Sequence, residues 1–339
     1  MRSQAAGLTG VQRYAQRLCA SLGDSIETVH PSRPLLGLRG HLWEQTVLPM
    51  RSGRRLLWSP TNTGPLKVRR QVLTVHDVAS IDHPEWFDAK FAAWYRWLTP
   101  RLVKRVARVI TISEFSRQRL AAVTKSDPEQ IAVIPPGVDE RFYPRQSDEI
   151  VAIKEKLAIP SENYVLSLGS LEPRKNLPRL MEAWPRCVQR IGGEVSLVVA
   201  GAPGRRNVFR EIKLEHELPQ VHTVGFVDDE DLPALYSGAM ALVYPSMYEG
   251  FGLPVLEAMA CGTVPIAGNS TSLPEVVGDA GVLADVLDVE AIAHAVVSVV
   301  EDSCLRDELR MRAIARSKLF SWDRAAQLTS RIFNQVLEQ

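Results

Sequence analysis

The sequence predicts an α/β protein made of two Rossmann-like, doubly wound domains. Three observations carry that expectation. Short β-rich runs alternate with helical stretches along the whole chain, the pattern of parallel sheets covered by helices. The length of 339 residues suits about two domains. No internal repeat of fixed period and no low-complexity tract interrupts the alternation.

The expected strands form two series, each run ending in turn residues. The first covers residues 56–60, 72–77, 109–113 and 131–135. The second covers 164–169, 195–201, 222–227, 241–245 and 264–267. Between the series, Pro135-Pro136-Gly137 and Tyr143-Pro144 punctuate the chain, which places a hinge at 138–150. The expected domains are 1–140 and 141–320, facing a cleft. Parallel α/β sheets bind ligands beyond the carboxyl ends of their strands.

Composition limits the functional classes. An apolar fraction of 45% and a charged fraction of 23% are ordinary for a soluble globular protein. No apolar run approaches the roughly 18 residues of a membrane span, and the first residues lack the apolar core of a secretory signal. Cys19, Cys187, Cys261 and Cys304 are scattered and read as reduced thiols of a cytoplasmic protein. Charge is uneven: residues 1–140 hold 20 Lys and Arg against 12 Asp and Glu, and the remainder holds 20 against 27. A basic first half suits an anionic partner such as anionic lipid or a phosphorylated acceptor. No nucleic-acid motif accompanies it, so no nucleic-acid partner is expected.

The densest signal is Tyr248-Glu249-Gly250-Phe251-Gly252-Leu253-Pro254-Val255-Leu256-Glu257. Two carboxylates flank a glycine loop and a helix start. Pro254 suits the first helical position, and the glycines allow close backbone approach to a ligand. A helix N-terminus after such a loop accepts phosphate, and the glutamates can take hydroxyls on either side. That layout fits a sugar joined to a nucleotide through a diphosphate. Ser170-Leu171-Glu172-Pro173-Arg174-Lys175-Asn176 follows an expected strand and supplies adjacent cations for a diphosphate leaving group. Alone it would be a solvated basic turn; beside the glycine loop it reads as functional.

Four weaker signals are each weighed against a plain structural role. His76-Asp77 ends the run 71–75, where a side chain points toward a cleft; the plain reading is a histidine satisfied by local backbone. Gly7-Leu8-Thr9-Gly10 opens an amphipathic helix with Val11, Leu18 and Leu22 on one face; its amides suit phosphate, or it is a capping turn. Asp228-Asp229-Glu230-Asp231 contains an Asp-x-Asp pair, but acids are favoured at a helix start, so no metal is expected. Trp86, Phe87, Phe91, Trp94, Tyr95 and Trp97 precede Arg101, Lys104, Arg105 and Arg108. That mixture suits an anionic membrane surface or a core-packed helix with a solvated basic face.

These residues together resemble the family-4 retaining glycosyltransferases of the GT-B fold. The matching pieces, in the family's order, are Thr9-Gly10-Val11-Gln12-Arg13-Tyr14, Thr74-Val75-His76-Asp77, Ile112-Ser113-Glu114-Phe115-Ser116, Ile134-Pro135-Pro136-Gly137-Val138-Asp139, the run 169–176 and the run 244–254. With Glu257 the last piece is the family's E-x7-E motif. The resemblance implies that Glu249 binds donor-sugar hydroxyls and Glu257 the ribose. It implies that amides of Phe251, Gly252 and Leu253 meet sugar or phosphate, and that Arg174 and Lys175 stabilise the departing diphosphate. His76 would touch the donor sugar, and Gly10 would approach the diphosphate. It further implies retention of configuration, no metal cofactor, and a last helix, 321–339, crossing back to the first domain.

The opening motif and the His-Pro-Glu-Trp-Phe run resemble bacterial polysaccharide mannosyltransferases. That favours GDP-mannose as donor and a lipid-linked oligosaccharide or polysaccharide acceptor. A UDP-sugar transferase, a nucleotide-sugar epimerase or hydrolase, and a non-catalytic nucleotide-sugar binder remain alternatives. The chain departs from the family in one respect: residues 1–6 are too few for the strand expected before Gly7. Either the start lies upstream or the first sheet lacks a core strand.

Overall fold

A computed structural model describes residues 9–33, 35, 37–192, 194–202, 208–209 and 218–339. They divide into two units. One takes residues up to Asp82, Ala89–Gly137 and Ser321–Gln339; the other takes His83–Asp88 and Val138–Phe320.

The first unit holds a parallel sheet in the order β1-β2-β3-β4: Leu57–Ser59, Gln71–Thr74, Arg108–Thr111 and Ile131–Val133. Leu73, Val75, Leu98, Leu102, Val109, Leu120 and Ile131 form its core. The helix after Thr9 runs Gly10–Leu22, but its buried face is Tyr14, Leu18 and Leu22. Val11, expected on that face, is only half-buried. Tyr14, on the same face, is more deeply buried: its ring stands edge-on to His76 at 4.6 Å and Trp322 at 5.8 Å, partners distant in sequence. Ser321 caps the last helix, Trp322–Leu337, by accepting from Arg324 N at 3.1 Å. Phe333 of that helix packs its ring 5.7 Å from Trp58. The question of a strand before Gly7 concerns residues 1–8, outside the described residues.

The second unit holds six parallel strands in the order β10-β9-β8-β5-β6-β7. They are β5 (Asn163–Leu168), β6 (Val195–Ala200), β7 (Val221–Gly225), β8 (Ala241–Tyr244), β9 (Val264–Gly268) and β10 (Val282–Ala284). β6, β8 and β9 are buried at every position, as expected of strands covered on both faces. Trp184, Leu180, Leu197, Val243, Ile266 and Val296 belong to the core packed on this sheet. Each expected run coincides with a strand, although several stop early; 72–77 ends at Thr74. β10 was not expected: three residues beside Gly281 are too short to stand out from a loop.

Among these strands the chain order reverses at β5. From β5 it runs β6, β7 toward one edge and, from β8, toward the other. The loops after β5 and β8 therefore emerge side by side at a topological switch point, where such sheets place ligands. Gly201 secures that arrangement. A Cβ there would lie 1.9 Å from the Gly169 carbonyl oxygen, and its φ is +150°. Gly201→Ala should displace the start of the loop after β5. It is expected to destabilise the protein by roughly 1–3 kcal/mol, read as a lower urea midpoint at unchanged slope.

Candidate functional site

The loop after β5 closes through a short turn, Pro173–Lys175, and enters the helix Leu177–Ile191 through Asn176. Asn176 takes a left-handed conformation, φ 59°, and its Nδ2 donates to Val286 O at 2.7 Å. The loop after β8 is tied to this turn. Met247 N donates to Arg174 O at 2.8 Å, and the Ser246 hydroxyl, whose single proton is shared with Glu249 Oε1, lies 3.1 Å from the same oxygen. Ser272 Oγ fixes the next stretch by donating to Glu249 O and Phe251 O at 2.9 and 3.0 Å.

These constraints bring Arg174, Lys175 and Glu249 together. Arg174 Nη1 donates to Glu249 Oε2 at 3.0 Å and to Tyr248 O at 3.2 Å. Glu249 Oε1 accepts from Lys175 Nζ at 2.5 Å, Ser246 Oγ at 2.7 Å and Tyr244 OH at 2.9 Å. Burial alone would raise the Glu249 carboxyl; the Arg174 and Lys175 charges, with hydrogen bonds from Lys175 and Ser246, override it and lower it to about 2. Burial lowers Lys175, aided by Arg174 and opposed by Glu249 and Glu172. Burial also raises the Tyr244 phenol, with the Glu249 charge adding to it. The result is an ionised carboxylate between two cations, on loops aimed at the switch point.

Past Glu249 the chain turns at Gly252, φ +106°, where a Cβ would meet Leu273 Cδ2 at 2.7 Å. The helix then runs Leu253–Ala260. Pro254 is thus its second residue, one place later than the sequence suggested, because Leu253 already has helical geometry. Phe251, Gly252 and Leu253 form the loop-to-helix junction, with a helix N-terminus suited to anions. Glu257 lies inside the helix, buried, and its Oε2 accepts from Tyr236 OH at 3.2 Å.

His76 and Gly10 belong to the first unit. His76 is buried; its Nε2 lies 2.8 Å from Pro60 O, and its backbone N donates to Asn62 Oδ1 at 2.7 Å. A carbonyl can only accept, so Nε2 carries the proton and Nδ1 is left with a lone pair. Burial lowers the imidazole's pKa, against the Pro60 hydrogen bond and Asp77. Gly10 is exposed, the first residue of its helix, inside a capping box in which Gln12 N donates to Thr9 Oγ1 at 3.4 Å.

Asp228–Asp231 stand directly before a helix, where acids were expected, but none of them caps it with a side chain. The helix there, Leu232–Ser237, has Asp231 at its cap position without a side-chain cap bond. Asp231 instead accepts from Lys156 Nζ at 2.6 Å, since its backbone there is helical rather than extended. No group of three or more His, Cys, Asp or Glu side chains among the described residues could hold a metal.

Sequence reasoning assigned no role to Tyr244, Ser246, Glu172 or Tyr236. Ser246 and Glu172 lie inside the two motifs, so their position was a usable signal. Tyr236 lies outside them, and only the fold brings it to Glu257.

Comparison with known proteins shows the family and the fold. A model of "Glycosyl transferases group 1" matches residues 149–319, and one of "Glycosyltransferase Family 4" matches 49–142. "O-antigen chain mannosyltransferase B" of Escherichia coli is 32% identical over 78% of this chain and 70% of its own length. "O-antigen chain mannosyltransferase RfbU" of Salmonella typhimurium is 31% identical over 72% of this chain and 65% of its own. The chain spans about a third of the longer "Serotype-specific mannosyltransferase WbdA" of Escherichia coli: the match is 30% identical and covers 35% of that protein. Among solved structures, WaaG, "a glycosyltransferase involved in lipopolysaccharide biosynthesis", superposes with a TM-score of 0.74 at 16% identity, covering 96% of both chains. Anabaena HepE in complex with UDP and glucose gives 0.76 at 19%, covering 98% of both. The fold is therefore of GT-B type, and the chain belongs to the group 1, family 4 glycosyltransferases.

Proposed function

We propose that this glycosyltransferase moves mannose from GDP-mannose to a lipid-linked oligosaccharide or polysaccharide, with retention and without a metal cofactor. The observation that carries the reading is the buried Arg174–Glu249–Lys175 cluster at the switch point of the second sheet. The O-antigen mannosyltransferases among its relatives support the sugar and the glycan acceptor.

In this reading Glu249 holds the place of the substrate anion until the donor arrives. The diphosphate takes over Arg174 and Lys175, and Glu249 turns to the hydroxyls of the donor sugar. Amides of Phe251, Gly252 and Leu253 meet sugar or phosphate, Glu257 receives the ribose, and the Nδ1 lone pair of His76 accepts from the sugar. Gly10 offers its backbone to the diphosphate. Cleavage of the glycosyl–phosphate bond leaves charge on the diphosphate, and the fixed cations lower that barrier by electrostatic preorganisation. No carboxylate is assigned as a nucleophile. With no metal required, the cations replace the divalent ion that other transferases use.

The protein is proposed to work in the cytoplasm, touching the anionic face of the membrane through its basic first unit. No described helix is long and apolar enough to cross a membrane. Trp97, 42% exposed, lies beneath the Arg101 guanidinium at 4.7 Å, an aromatic–cation pair suited to a lipid surface.

A melting screen with GDP, UDP, ADP and their sugars in EDTA tests the donor and the metal together. GDP and GDP-mannose should raise the melting temperature most, and transfer should persist in EDTA. A larger rise with UDP-glucose, or activity restored by magnesium, would overturn the respective part.

Glu249→Gln should abolish transfer. It also removes the carboxylate charge shared by Arg174 and Lys175, at a cost on the order of 3 kcal/mol. Because the Glu249 pKa is depressed in the fold, its contribution is complete above the ordinary value of 4.5 and is lost as pH falls through about 2. The gap in urea midpoint between wild type and Glu249→Gln should accordingly be full at pH 7 and shrink progressively below pH 4.5. An active variant would sink the site assignment.

Vesicle flotation checks the membrane contact. Wild type should float with anionic vesicles at low salt, and Trp97→Ala with Arg101→Ala should bind less. Absence of wild-type binding would end that idea.

A further inference from the structure

Glu172 is the least satisfied charged group of the second unit's cluster. It is 1% exposed, and neither carboxylate oxygen has an aligned hydrogen bond. Its Oε1 lies 2.7 Å from Arg174 Nε. It precedes the turn Pro173–Lys175 and makes no side-chain cap bond to it. The turn is closed by backbone: Lys175 N donates to Glu172 O at 3.1 Å. The turn therefore makes no use of the carboxylate. A buried carboxylate with so little compensation is costly.

The guanidinium of Arg174 is planar and is held at separate nitrogens. Glu172 contacts Nε, while Glu249 and Tyr248 O take Nη1. In the reading proposed above, on which this inference rests, the diphosphate replaces Glu249. Arg174 would then lose its carboxylate partner at Nη1 at the moment when it must be aimed. Glu172, attached at Nε, would be unaffected by that exchange. Met247 N and Ser246 Oγ fix the Arg174 carbonyl, and the Glu172 ion pair holds the other end of the residue at Nε.

We propose that Glu172 is a positioning residue, which holds Arg174 by Nε so that its outer nitrogens stay directed at the diphosphate when Glu249 lets go. A second consequence follows from charge. Arg174 and Lys175 are balanced by Glu172 and Glu249. With Glu249 turned to a neutral sugar, Glu172 tempers the attraction of the two cations for the diphosphate and so aids product release.

Aim and charge predict opposite effects of one substitution. Glu172→Gln keeps the shape and removes the charge. It should bind GDP and inorganic pyrophosphate at least about threefold tighter, by calorimetry. It should turn over the nucleotide sugar selected by the melting screen, with water as acceptor, roughly 10- to 100-fold more slowly. Glu172→Asp keeps the charge and shortens the reach; it should bind pyrophosphate as wild type does and still lose turnover. A purely structural Glu172 would lower the melting temperature and leave kcat per folded molecule, scaled by pyrophosphate stoichiometry, unchanged. That result, or weaker pyrophosphate binding by Glu172→Gln, overturns the proposal. Should the Gln variant fail to fold, wild-type turnover by Glu172→Asp overturns it equally. If wild type binds neither GDP nor pyrophosphate, the proposed function falls with it; if wild type binds and turns over, failure touches Glu172 alone.

Discussion

The reversal of chain order at β5 is the constraint on which the site depends. Because β8 pairs with β5 while β6 pairs with its other edge, the loops 169–176 and 245–252 leave neighbouring strand ends. No local preference in either loop would bring Arg174 to Glu249, which is 75 residues away in sequence. The sheet does so through its hydrogen-bond register, and the bonds of Met247 and Ser246 to the Arg174 carbonyl then lock the two loops. Gly169 and Gly201 belong to the same constraint. Their backbones pass so closely at the ends of β5 and β6 that a single Cβ would push the first loop out of place.

Charge sets the second condition. Each ion taken from water into the cluster carries a desolvation cost of several kcal/mol, which Coulomb attraction offsets only when geometry is good and the remaining lone pairs are used. Glu249 meets that standard: its oxygens receive an ammonium, a guanidinium and two hydroxyls. Glu172 does not. The contrast matters for the proposed function, in which the cluster must hold together and still yield its cations to the donor's diphosphate. A group as fully bonded as Glu249 supplies the stability, and its partners are also the groups a diphosphate would recruit.

Much of this was legible in the sequence, for identifiable reasons. Strong apolar runs such as 195–200 and 241–244 announced buried strands, and the two motifs announced the cations and the carboxylate that meet. What stayed hidden was fixed by distant partners. Tyr14 lies on the same helical face as Val11 but is the more deeply buried because His76 and Trp322 stand beside it, partners that the helical period alone does not reveal. β10 exists because β9 offers an edge to Val282–Ala284, not because three residues prefer to be extended. Asp231 faces Lys156 rather than its own helix, a choice made by the packing of two helices. Tyr236 reaches Glu257 across elements that only the folded sheet aligns.

The two motif glutamates show how spacing acquires meaning only in three dimensions. Eight residues apart, they could be read as an equivalent pair flanking a phosphate. The helix start at Leu253 divides them. Glu249 is on the loop before it, among charges that hold it ionised. Glu257 is on the helix, where it accepts from a tyrosine hydroxyl. The geometry therefore separates a carboxylate held among cations on the loop from one that accepts a tyrosine hydroxyl on the helix, and the glycine at 252, bent to φ +106°, is the joint that lets one short segment present both.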